Sequence, residues 1–293
     1  MSFFKQFPKT TYDLKRDGNL IEIKDIFRNV DINEKLINPA SAYQYYYIQD
    51  GERPDQIADK LYRNSRYYWT IFIANDRLRD GYMKWPLSYQ QLQRRISEEY
   101  NPYLVLELSP FSATKLGEYA NPISSLSFGV SNSLFGGDAD TYTEVGTGYK
   151  FDSERYQLWL KPSSNDTARK FRNFLSSGRE IPFGLSSIDR GDGTNVPVLS
   201  LRFNTIGDGY DVSTANLGAV RGWGAAWQAP YYYKGSDGGR QTTYDAVSTG
   251  ATSNPYTYSE FLEDENDALT AIRIVKPNYI AEFAEVYKEY VNS

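Results

Sequence analysis

The sequence predicts an α+β fold, and three observations lead to this class. A strand-like aromatic run near Tyr45 is followed by two short segments whose apolar residues recur at helical spacing. A long central stretch alternates short apolar runs with Gly, Ser, Thr and Asn, which is typical of antiparallel strands joined by turns. The C-terminal segment carries aromatic residues at helical spacing. We therefore expect an extended N-terminal arm, a small βααβ module, a β-rich insertion domain and a C-terminal helix.

The module begins with a short strand from Tyr45 to Ile48, where aromatic and β-branched residues favour extended backbone. Asp50-Gly51 supplies the turn that ends this strand. Pro54 then occupies a first helical position, where its missing N–H would have had no partner in any case. This order predicts a strand, a tight turn and a helix that starts at Pro54.

The helix that starts at Pro54 is the first of two short helices, each with one apolar face. A break at Asn64-Ser65 separates the two. Asn75 is interpreted as the stop of the second helix, because Asn tolerates left-handed backbone. Ser88 and Gln91 form a capping-box pattern, which predicts a further helix to about Glu99. The apolar faces consist of Ile57, Ala58, Leu61 and Tyr62 in the first helix and Tyr68, Trp69, Phe72 and Ile73 in the second.

Four segments are expected along the chain. Residues 1–42 form an N-terminal arm, with strand-like alternation from Leu20 to Ile23 and a polar connection from Asp31 to Pro39. Residues 43–99 form the module with its following helix. Residues 100–261 form a β-rich insertion interrupted by one helix around Thr167 to Leu175. Residues 262–293 form a C-terminal segment whose terminal helix carries an aromatic stripe, read mainly as core packing and alternatively as partner docking.

Composition excludes several kinds of chemistry. The chain has 293 residues, no Cys and no His, so disulfides, thiolate nucleophiles, Ser-His pairs and the commonest metal ligand are absent. We expect no cofactor. The net charge of -5 and the sequence pI of about 5.1 argue against nucleic acid as a partner. No apolar run reaches the roughly 18 residues of a membrane span, and the start lacks a secretory apolar region, so synthesis in the cytoplasm without membrane association is expected.

Aromatic residues make up 16% of the chain and include 26 Tyr. Tyr combines an apolar body with a polar tip, and it is enriched at protein interfaces. Tyr is also common in strands. The excess therefore leaves two interpretations open: extensive interfacial surface, or a β-rich fold.

Three candidate chemical sites have simpler interpretations. Asp189 to Asn195 lacks the spacing of an EF-hand loop, and Asp192-Gly193 favours a hairpin turn. The segment from Gly222 to Trp227, with Tyr231 to Tyr233, could form a carbohydrate-stacking platform, but buried sheet packing or a protein interface is favoured. The pairs Asp152 with Glu154 and Glu98 with Glu99 could be nominated as glycosidase carboxylates, although solvated surface positions are favoured for both.

The module carries an ordered set of motifs: Asp50-Gly51-x-Arg53-Pro54-Asp55-x-Ile57-Ala58, Tyr62, Tyr67-Tyr68-Trp69-x-Ile71, Asn75, Asp80 and Trp85-Pro86-Leu87-Ser88. These motifs resemble the LysM-like segment of baseplate wedge proteins from contractile-tailed, T-even-like bacteriophages. The N-terminal aromatic arm and the closing stretch around Ile272-Arg273-Ile274 are similar to the same family, although Thr270-Ala271 stands where the family tends to have a basic residue. The resemblance covers roughly residues 1–99 and 262–293.

The resemblance implies a non-enzymatic structural component of a phage tail baseplate. Its expected partners are other baseplate wedge proteins of the same virion, in several copies and a sixfold arrangement, with assembly in the host cytoplasm. The alternatives are a peptidoglycan-binding LysM protein and a carboxylate-based cell-wall hydrolase. The expected interaction residues are Phe3, Phe4, Phe7, Tyr12, Asp50, Arg53, Asp55, Tyr67, Trp85 and Tyr287.

Overall fold

The computed structural model describes residues 8–25, 40–119, 127–131, 142–175, 179–189, 193, 195–201, 216–235, 239–243 and 254–292. Within them the strands are β1 (Lys9–Tyr12), β2 (Ile21–Lys24), β3 (Tyr43–Tyr47), β4 (Leu104–Glu107), β5 (Ser127–Ser131), β6 (Tyr142–Asp152), β7 (Gln157–Pro162), β8 (Arg179–Asp189), β9 (Asn195–Leu201), β10 (Asn216–Trp223), β11 (Pro230–Lys234), β12 (Arg240–Gln241), β13 (Asn254–Thr257) and β14 (Ala271–Val275). The helices are α1 (Pro54–Tyr62), α2 (Trp69–Ile73), α3 (Tyr89–Tyr100), α4 (Pro110–Tyr119), α5 (Asn165–Phe174), α6 (Tyr258–Ala268) and α7 (Ile280–Asn292). The structure thus mixes helices and several sheets, as the predicted α+β class requires.

The chain forms two compact units. One comprises Met1–Leu92 with Asp264–Ser293, and the other comprises Gln93–Glu263. The first unit is therefore discontinuous in sequence. Its C-terminal part, Asp264–Ser293, follows the second unit in the sequence.

The first unit is built on a two-stranded antiparallel sheet of β3 and β14, in which Tyr43 pairs with Val275 and Tyr47 with Ala271. One apolar cluster contains Ile48, Ile57, Ile71, Leu78, Ile272 and Ile274. The other contains Tyr43, Trp69, Ala74, Val275, Ile280, Phe283, Tyr287 and Val291. Each cluster contains residues from the segment β3–α2 and its neighbours and from the segment β14–α7. The burial of apolar area therefore holds together parts of the chain that are distant in sequence.

The βααβ order expected within residues 43–99 is wrong in its last element. After α2 the chain continues through 3-10 turns at Asp76–Leu78 and Gly81–Lys84 and enters α3 without a second strand. The strand that pairs with β3 is β14, from the C-terminal segment. β14 fits this position because Ile272 and Ile274 alternate onto the buried face of the sheet.

Three local signals in the module are confirmed, and the helix stop expected at Asn75 is wrong. Gly51 has a φ of +71°, and α1 begins at Pro54. Ser88 and Gln91 exchange the two capping-box hydrogen bonds at the start of α3. Asn75 is not a left-handed stop, because its φ is -134°. The left-handed residue is Arg63, which ends α1 with a φ of 55°.

The N-terminal arm contains an antiparallel hairpin of β1 and β2, in which Thr10 pairs with Ile23 and Tyr12 with Ile21. β2 confirms the strand predicted from the alternation at residues 20–23. The expected polar connection at residues 31–39 lies outside the described residues. A cross-strand ion pair, Lys9 Nζ to Glu22 Oε2 at 2.6 Å, joins two exposed side chains.

The second unit contains a closed barrel whose strand order, within the described residues, is β10-β4-β7-β6-β5-β9-β8. Its neighbours are antiparallel except β5 and β9, which are parallel. A separate sheet has the order β12-β11-β13. The predicted antiparallel texture is therefore correct except at one strand pair.

The predicted helix around Thr167 is α5, but the prediction of only one helix in this region is wrong. Helix α4 begins at Pro110, and the Ser109 hydroxyl accepts a hydrogen bond from the backbone N–H of Ser112 at 3.0 Å. Ser at the cap and Pro at the first helical position are start signals. The Ser109-Pro110 pair was therefore a start signal for α4. The alternation of short apolar runs in the surrounding sequence led to a strand prediction instead.

A buried carboxyl group lies in the second unit. Glu107 on β4 is 2% exposed, and its Oε2 accepts hydrogen bonds from the Tyr233 hydroxyl at 2.6 Å and the Trp223 indole at 3.4 Å. Its Oε1 has no hydrogen-bond partner in the part of the chain that the structure describes. Burial raises the pKa of the Glu107 carboxyl, while the hydrogen bond from Tyr233 acts in the opposite direction.

No helix in the described part of the chain combines the length and the apolar character that a membrane span needs.

Candidate interaction surface

The motifs from Asp50 to Ser88 and the C-terminal segment contact one another through side chains that bind backbone. The Asn266 carboxamide accepts from the Leu87 N–H at 2.7 Å and donates to the Leu87 carbonyl at 3.1 Å. The Tyr62 hydroxyl donates to the Val275 carbonyl at 2.8 Å. Burial raises the pKa of Tyr62 to about 12, so it remains a donor at neutral pH. These polar contacts hold together parts of the chain that are far apart in sequence.

Asn75 closes the outer edge of β14. Its Oδ1 accepts from the Arg273 N–H at 2.8 Å, and its Nδ2 donates to the Arg273 carbonyl at 2.8 Å and to the Ile71 carbonyl at 2.7 Å. The carboxamide therefore replaces the neighbouring strand that β14 lacks on this side. An edge strand whose backbone groups are satisfied in this way is poorly suited to pairing with another chain.

The outer edge of β3 is open at Tyr45. The backbone pairs of Ala42 with Lys276 and Ile48 with Thr270 are hydrogen-bonded, so alternation directs the N–H and C=O groups of Tyr45 away from β14. Tyr45 has no other partner among the described residues, whereas the Tyr47 carbonyl accepts from Gln49 Nε2 at 3.0 Å. Tyr45 and Tyr47 are 77% and 67% exposed, so this edge presents two exposed aromatic side chains.

The other face of β3 is anchored to α1 by polar contacts. The Tyr46 hydroxyl donates to Glu52 at 2.7 Å and accepts from Lys60 Nζ at 2.9 Å. Burial, the largest influence, raises the pKa of Tyr46. These contacts fix the position of β3 and therefore the positions of its exposed residues Tyr45 and Tyr47.

A second exposed region lies at the start of α1. The Arg53 guanidinium contacts the Asp55 carboxylate through Nε at 3.1 Å and Nη2 at 3.2 Å. Tyr82 is 55% exposed and contacts Phe72 edge-on at a ring distance of 5.4 Å. Burial, followed by the charge of Asp55, raises the pKa of Tyr82. Met83 beside it is 91% exposed.

The structure separates the expected interaction residues into two groups. Arg53, Asp55 and Tyr12 are available at the surface, with Tyr12 55% exposed. The other four described ones support the fold. Asp50 Oδ1 accepts from the Tyr89 N–H at 2.7 Å, and the Trp85 indole donates to the Glu52 carbonyl at 2.9 Å.

Tyr67 and Tyr287 belong to the aromatic packing of the first unit. Tyr67 meets the Tyr62 ring edge-on at 6.0 Å, and Tyr287 lies 4.9 Å from Trp69 and is 6% exposed. For Tyr287 the core-packing alternative therefore describes its position. Phe3, Phe4 and Phe7 lie outside the described residues.

Sequence reasoning missed Tyr45, Tyr47, Tyr82 and Met83 as surface residues. A signal was present for the first two, since alternate residues of a strand point to opposite faces. The sequence did not reveal which residues on each face of β3 would be buried by other parts of the chain. Tyr43 shares a face with Tyr45 yet is only 9% exposed, because it packs against the second apolar cluster.

The candidate chemical sites take the simpler interpretations. Asp189 and Asn195 pair across antiparallel β8 and β9, and Gly193 has a φ of +82°, which fits a hairpin; the intervening residues 190–192 and 194 lie outside the described residues. Trp223 and Tyr233 are buried, and Tyr231 stacks on Phe261 at 4.0 Å, so this group packs internally and does not form an open platform.

The prediction of solvated surface positions is wrong for one of the nominated carboxylates. The Asp152 side chain is 10% exposed, and its Oδ2 accepts from Arg155 Nη1 at 3.0 Å, whereas Glu154 is 78% exposed. Glu98 and Glu99 pair with Arg94 and Arg95 one turn earlier. Among the described residues, no group of three or more acidic side chains could hold a metal ion.

Comparison with known proteins places a similarity in the N-terminal third of the chain. Residues 1–101 match the family model described as base plate wedge protein 53. The chain is 26% identical over 99 residues to baseplate wedge protein gp53 of Enterobacteria phage T4. That alignment covers 34% of this chain, and the chain spans about half (50%) of the length of this curated relative.

These matches support a baseplate wedge protein. They include the hairpin, β3, α1 and α2, and they end near the end of α3. They do not identify a LysM module, which stays a prediction.

Proposed function

We propose that this chain is a structural, non-enzymatic component of a phage tail baseplate wedge and that it joins neighbouring wedge subunits through protein contacts. The match of residues 1–101 to a baseplate wedge family is the observation that carries the proposal. The proposed location is the virion tail baseplate, after assembly in the host cytoplasm. The proposed partners are other wedge proteins, with several copies in sixfold arrangement, and neither nucleic acid nor a membrane is involved.

The surface of the matched region agrees with a role in assembly. Tyr45, Tyr47, Tyr82 and Met83 are each more than half exposed. Aromatic residues and Met are enriched at protein interfaces, and Tyr is frequent among the residues that dominate binding energy. The side chains lie on β3 and beside α1, where the hydrogen bonds of Tyr46 and the packing of Phe72 support them.

The chemistry of the chain also fits a structural role. The chain lacks His and Cys, and the carboxylates that could have been nominated for catalysis are paired with Arg or exposed. The comparisons do not support the peptidoglycan-binding or hydrolase alternatives. The β-rich second unit lies outside the family match and adds no evidence for them.

Purified virions provide the direct test. The chain should be present in tail preparations by mass spectrometry, and a cryo-EM reconstruction should place it between adjacent wedges. Its absence from the baseplate would overturn the proposal. Binding of the purified chain to peptidoglycan, together with absence from the baseplate, would favour glycan recognition instead.

A matched pair of variants tests whether the start of α1 is used. Arg53 and Asp55 form an exposed ion pair, with side chains 65% and 34% exposed, so Arg53→Ala should cost at most about 1 kcal/mol of stability. We expect Arg53→Ala to fold and to reduce incorporation into baseplates, whereas Arg66→Ala, also exposed, should assemble normally. Equal incorporation of the two variants would exclude this surface.

A further inference from the structure

The sheet of the first unit has two edges that differ in one decisive respect. On the β14 edge, the Asn75 carboxamide satisfies both backbone groups of Arg273. On the β3 edge, the outward N–H and C=O groups of Tyr45 have no partner among the described residues. An exposed edge strand with free backbone groups is a template for the addition of another strand.

The composition of β3 does not oppose such pairing, and of its outward backbone groups the Tyr47 carbonyl accepts a side-chain hydrogen bond, from Gln49 Nε2 at 3.0 Å. β3 reads Tyr-Gln-Tyr-Tyr-Tyr, with neither a charged residue nor Pro. Edge strands that avoid pairing usually carry charges, Pro or a bulge. The aromatic side chains of Tyr45 and Tyr47 offer cross-strand contacts to an added strand.

The same chain carries a strand pair that lacks a core. All four residues of β1 are exposed, as are three of the four in β2. Leu14 and Leu20 are each 67% exposed, and Ile21 is 44% exposed. An isolated two-stranded hairpin is at best marginally stable in water, so this hairpin gains stability from docking.

The outer edge of β1 is free at the right positions. Asp25 donates to the Pro8 carbonyl, which makes pairs 8–25, 10–23 and 12–21 the hydrogen-bonded ones of the hairpin. The N–H and C=O of Thr11 therefore point away from β2. Thr11 has no other partner among the described residues.

An antiparallel register with Thr11 opposite Tyr45 places Lys9 opposite Tyr47, whose side chain is 67% exposed. Lys9 pairs with Glu22 on the other strand of its own hairpin, and a basic side chain beside an exposed aromatic face is favourable. The Asp13 carboxylate accepts from the N–H groups of Asp17 and Gly18 in its own turn.

We propose that the β1–β2 hairpin of one copy of this chain adds to the β3 edge of a second copy, with β1 antiparallel to β3 and Thr11 opposite Tyr45. The joined sheet has the order β2-β1-β3-β14. Because the hairpin and the receiving edge are different surfaces, the contact is head-to-tail and can continue from copy to copy into a ring. The contact does not depend on the baseplate assignment.

The absence of native Cys permits a clean cross-linking test. Purified Thr11→Cys chains are mixed with Tyr45→Cys chains under mild oxidation and analysed by non-reducing electrophoresis and mass spectrometry. We expect a disulfide-linked pair of unlike chains. Thr11→Cys mixed with Tyr82→Cys is the control, because Tyr82 is 55% exposed but lies off the edge.

The double variant Thr11→Cys/Tyr45→Cys distinguishes a second copy from the hairpin of the same chain. Disulfides between chains support the proposal. A disulfide within one chain overturns it, as does cross-linking of the Tyr45 mixture no greater than that of the Tyr82 control. Circular dichroism of each variant verifies that the tested chains are folded.

A second cysteine pair tests the backbone contact. Lys9→Cys chains should cross-link to Tyr47→Cys chains, and Tyr45→Pro in the receiving chain should reduce this product at least tenfold, because Pro removes the outward N–H without removing a β3–β14 bond. Tyr45→Phe keeps that N–H and should cross-link normally. Equal cross-linking of the Pro and Phe variants would refute strand addition. Incorporation into virions by a chain that fails to cross-link would leave the baseplate role intact.

Discussion

Removal of the Asn75 carboxamide should loosen the joint between α2 and β14. Asn75→Ala deletes three hydrogen bonds of 2.7 to 2.8 Å and leaves the N–H and C=O of Arg273 without their edge partner. A neutral hydrogen bond contributes about 1 kcal/mol net, and a backbone group left unsatisfied costs about 1 to 3 kcal/mol. Because Asn75 is only partly buried, water recovers some of this loss. We expect a destabilisation of about 2 to 3 kcal/mol.

Hydrogen exchange followed by mass spectrometry measures this effect locally. The chain has two compact units, so a single global unfolding curve would combine two transitions. Peptides that contain β14 should exchange roughly 30 to 150 times faster in Asn75→Ala if the exchange reports local opening free energy, since about 1.4 kcal/mol corresponds to a factor of ten. Peptides from β4 and β7 in the second unit should not change.

Asn64→Ala provides the matched control. Its carboxamide accepts a single bond from the Arg66 N–H at 3.1 Å, within an exposed turn. We expect an effect of about 1 kcal/mol or less on the exchange of β14 peptides. If Asn75→Ala and Asn64→Ala accelerate the exchange of β14 equally, the carboxamide does not close this edge and the reasoning is refuted.

Three further predictions concern the core. Trp69→Ala removes a ring that lies 4.9 Å from Tyr287 and 6.3 Å from Phe283. It should destabilise the first unit by about 3 to 5 kcal/mol, read from the hydrogen exchange of first-unit peptides, and a loss below about 1 kcal/mol would contradict its place in the core. By the same measurement, Tyr62→Phe leaves the Val275 carbonyl without its donor and should cost about 1 to 2 kcal/mol, whereas Tyr47→Phe at the exposed edge should cost almost nothing. For Glu107, burial raises the pKa of the folded state, so its stabilising contribution is complete below the ordinary pKa near 4.5 and is lost as pH rises toward the folded value. Glu107→Gln lacks this loss, so the stability of the variant relative to the parent should increase with pH over that window, read from the hydrogen exchange of second-unit peptides. A stability difference independent of pH would show that the pKa of Glu107 does not differ between the folded and unfolded states.

The sequence predicted those elements whose signals lie within a few residues of each other. Gly51 adopts the positive φ that the Asp-Gly turn suggested, Pro54 starts α1, and Ser88 and Gln91 cap α3. Each rests on backbone geometry or on a hydrogen bond that spans at most three residues. Such short-range preferences operate before any tertiary contact forms.

Asn75 marks where this local reasoning stopped. A left-handed helix stop is the local preference of Asn, but the residue is extended and its side chain binds Arg273, 198 positions away. The three hydrogen bonds of the Asn75 carboxamide outweigh the preference of Asn for a left-handed helix stop. Long-range contacts also decided which strand pairs with β3. That strand is β14, and residues 76–88, which are adjacent to α2 in sequence, do not supply it.

By itself, the sequence determined the α+β class, the starts of α1 and α3 and the absence of His and Cys chemistry. Only the tertiary structure decided that β14 completes the first sheet and which tyrosines remain exposed. Tyr43 and Tyr45 are the same residue type on the same face of one strand, yet they are 9% and 77% exposed. Burial depends on what lies opposite a side chain, and for Tyr43 the cluster opposite includes Val275 and residues of α7, more than 230 positions away in the chain.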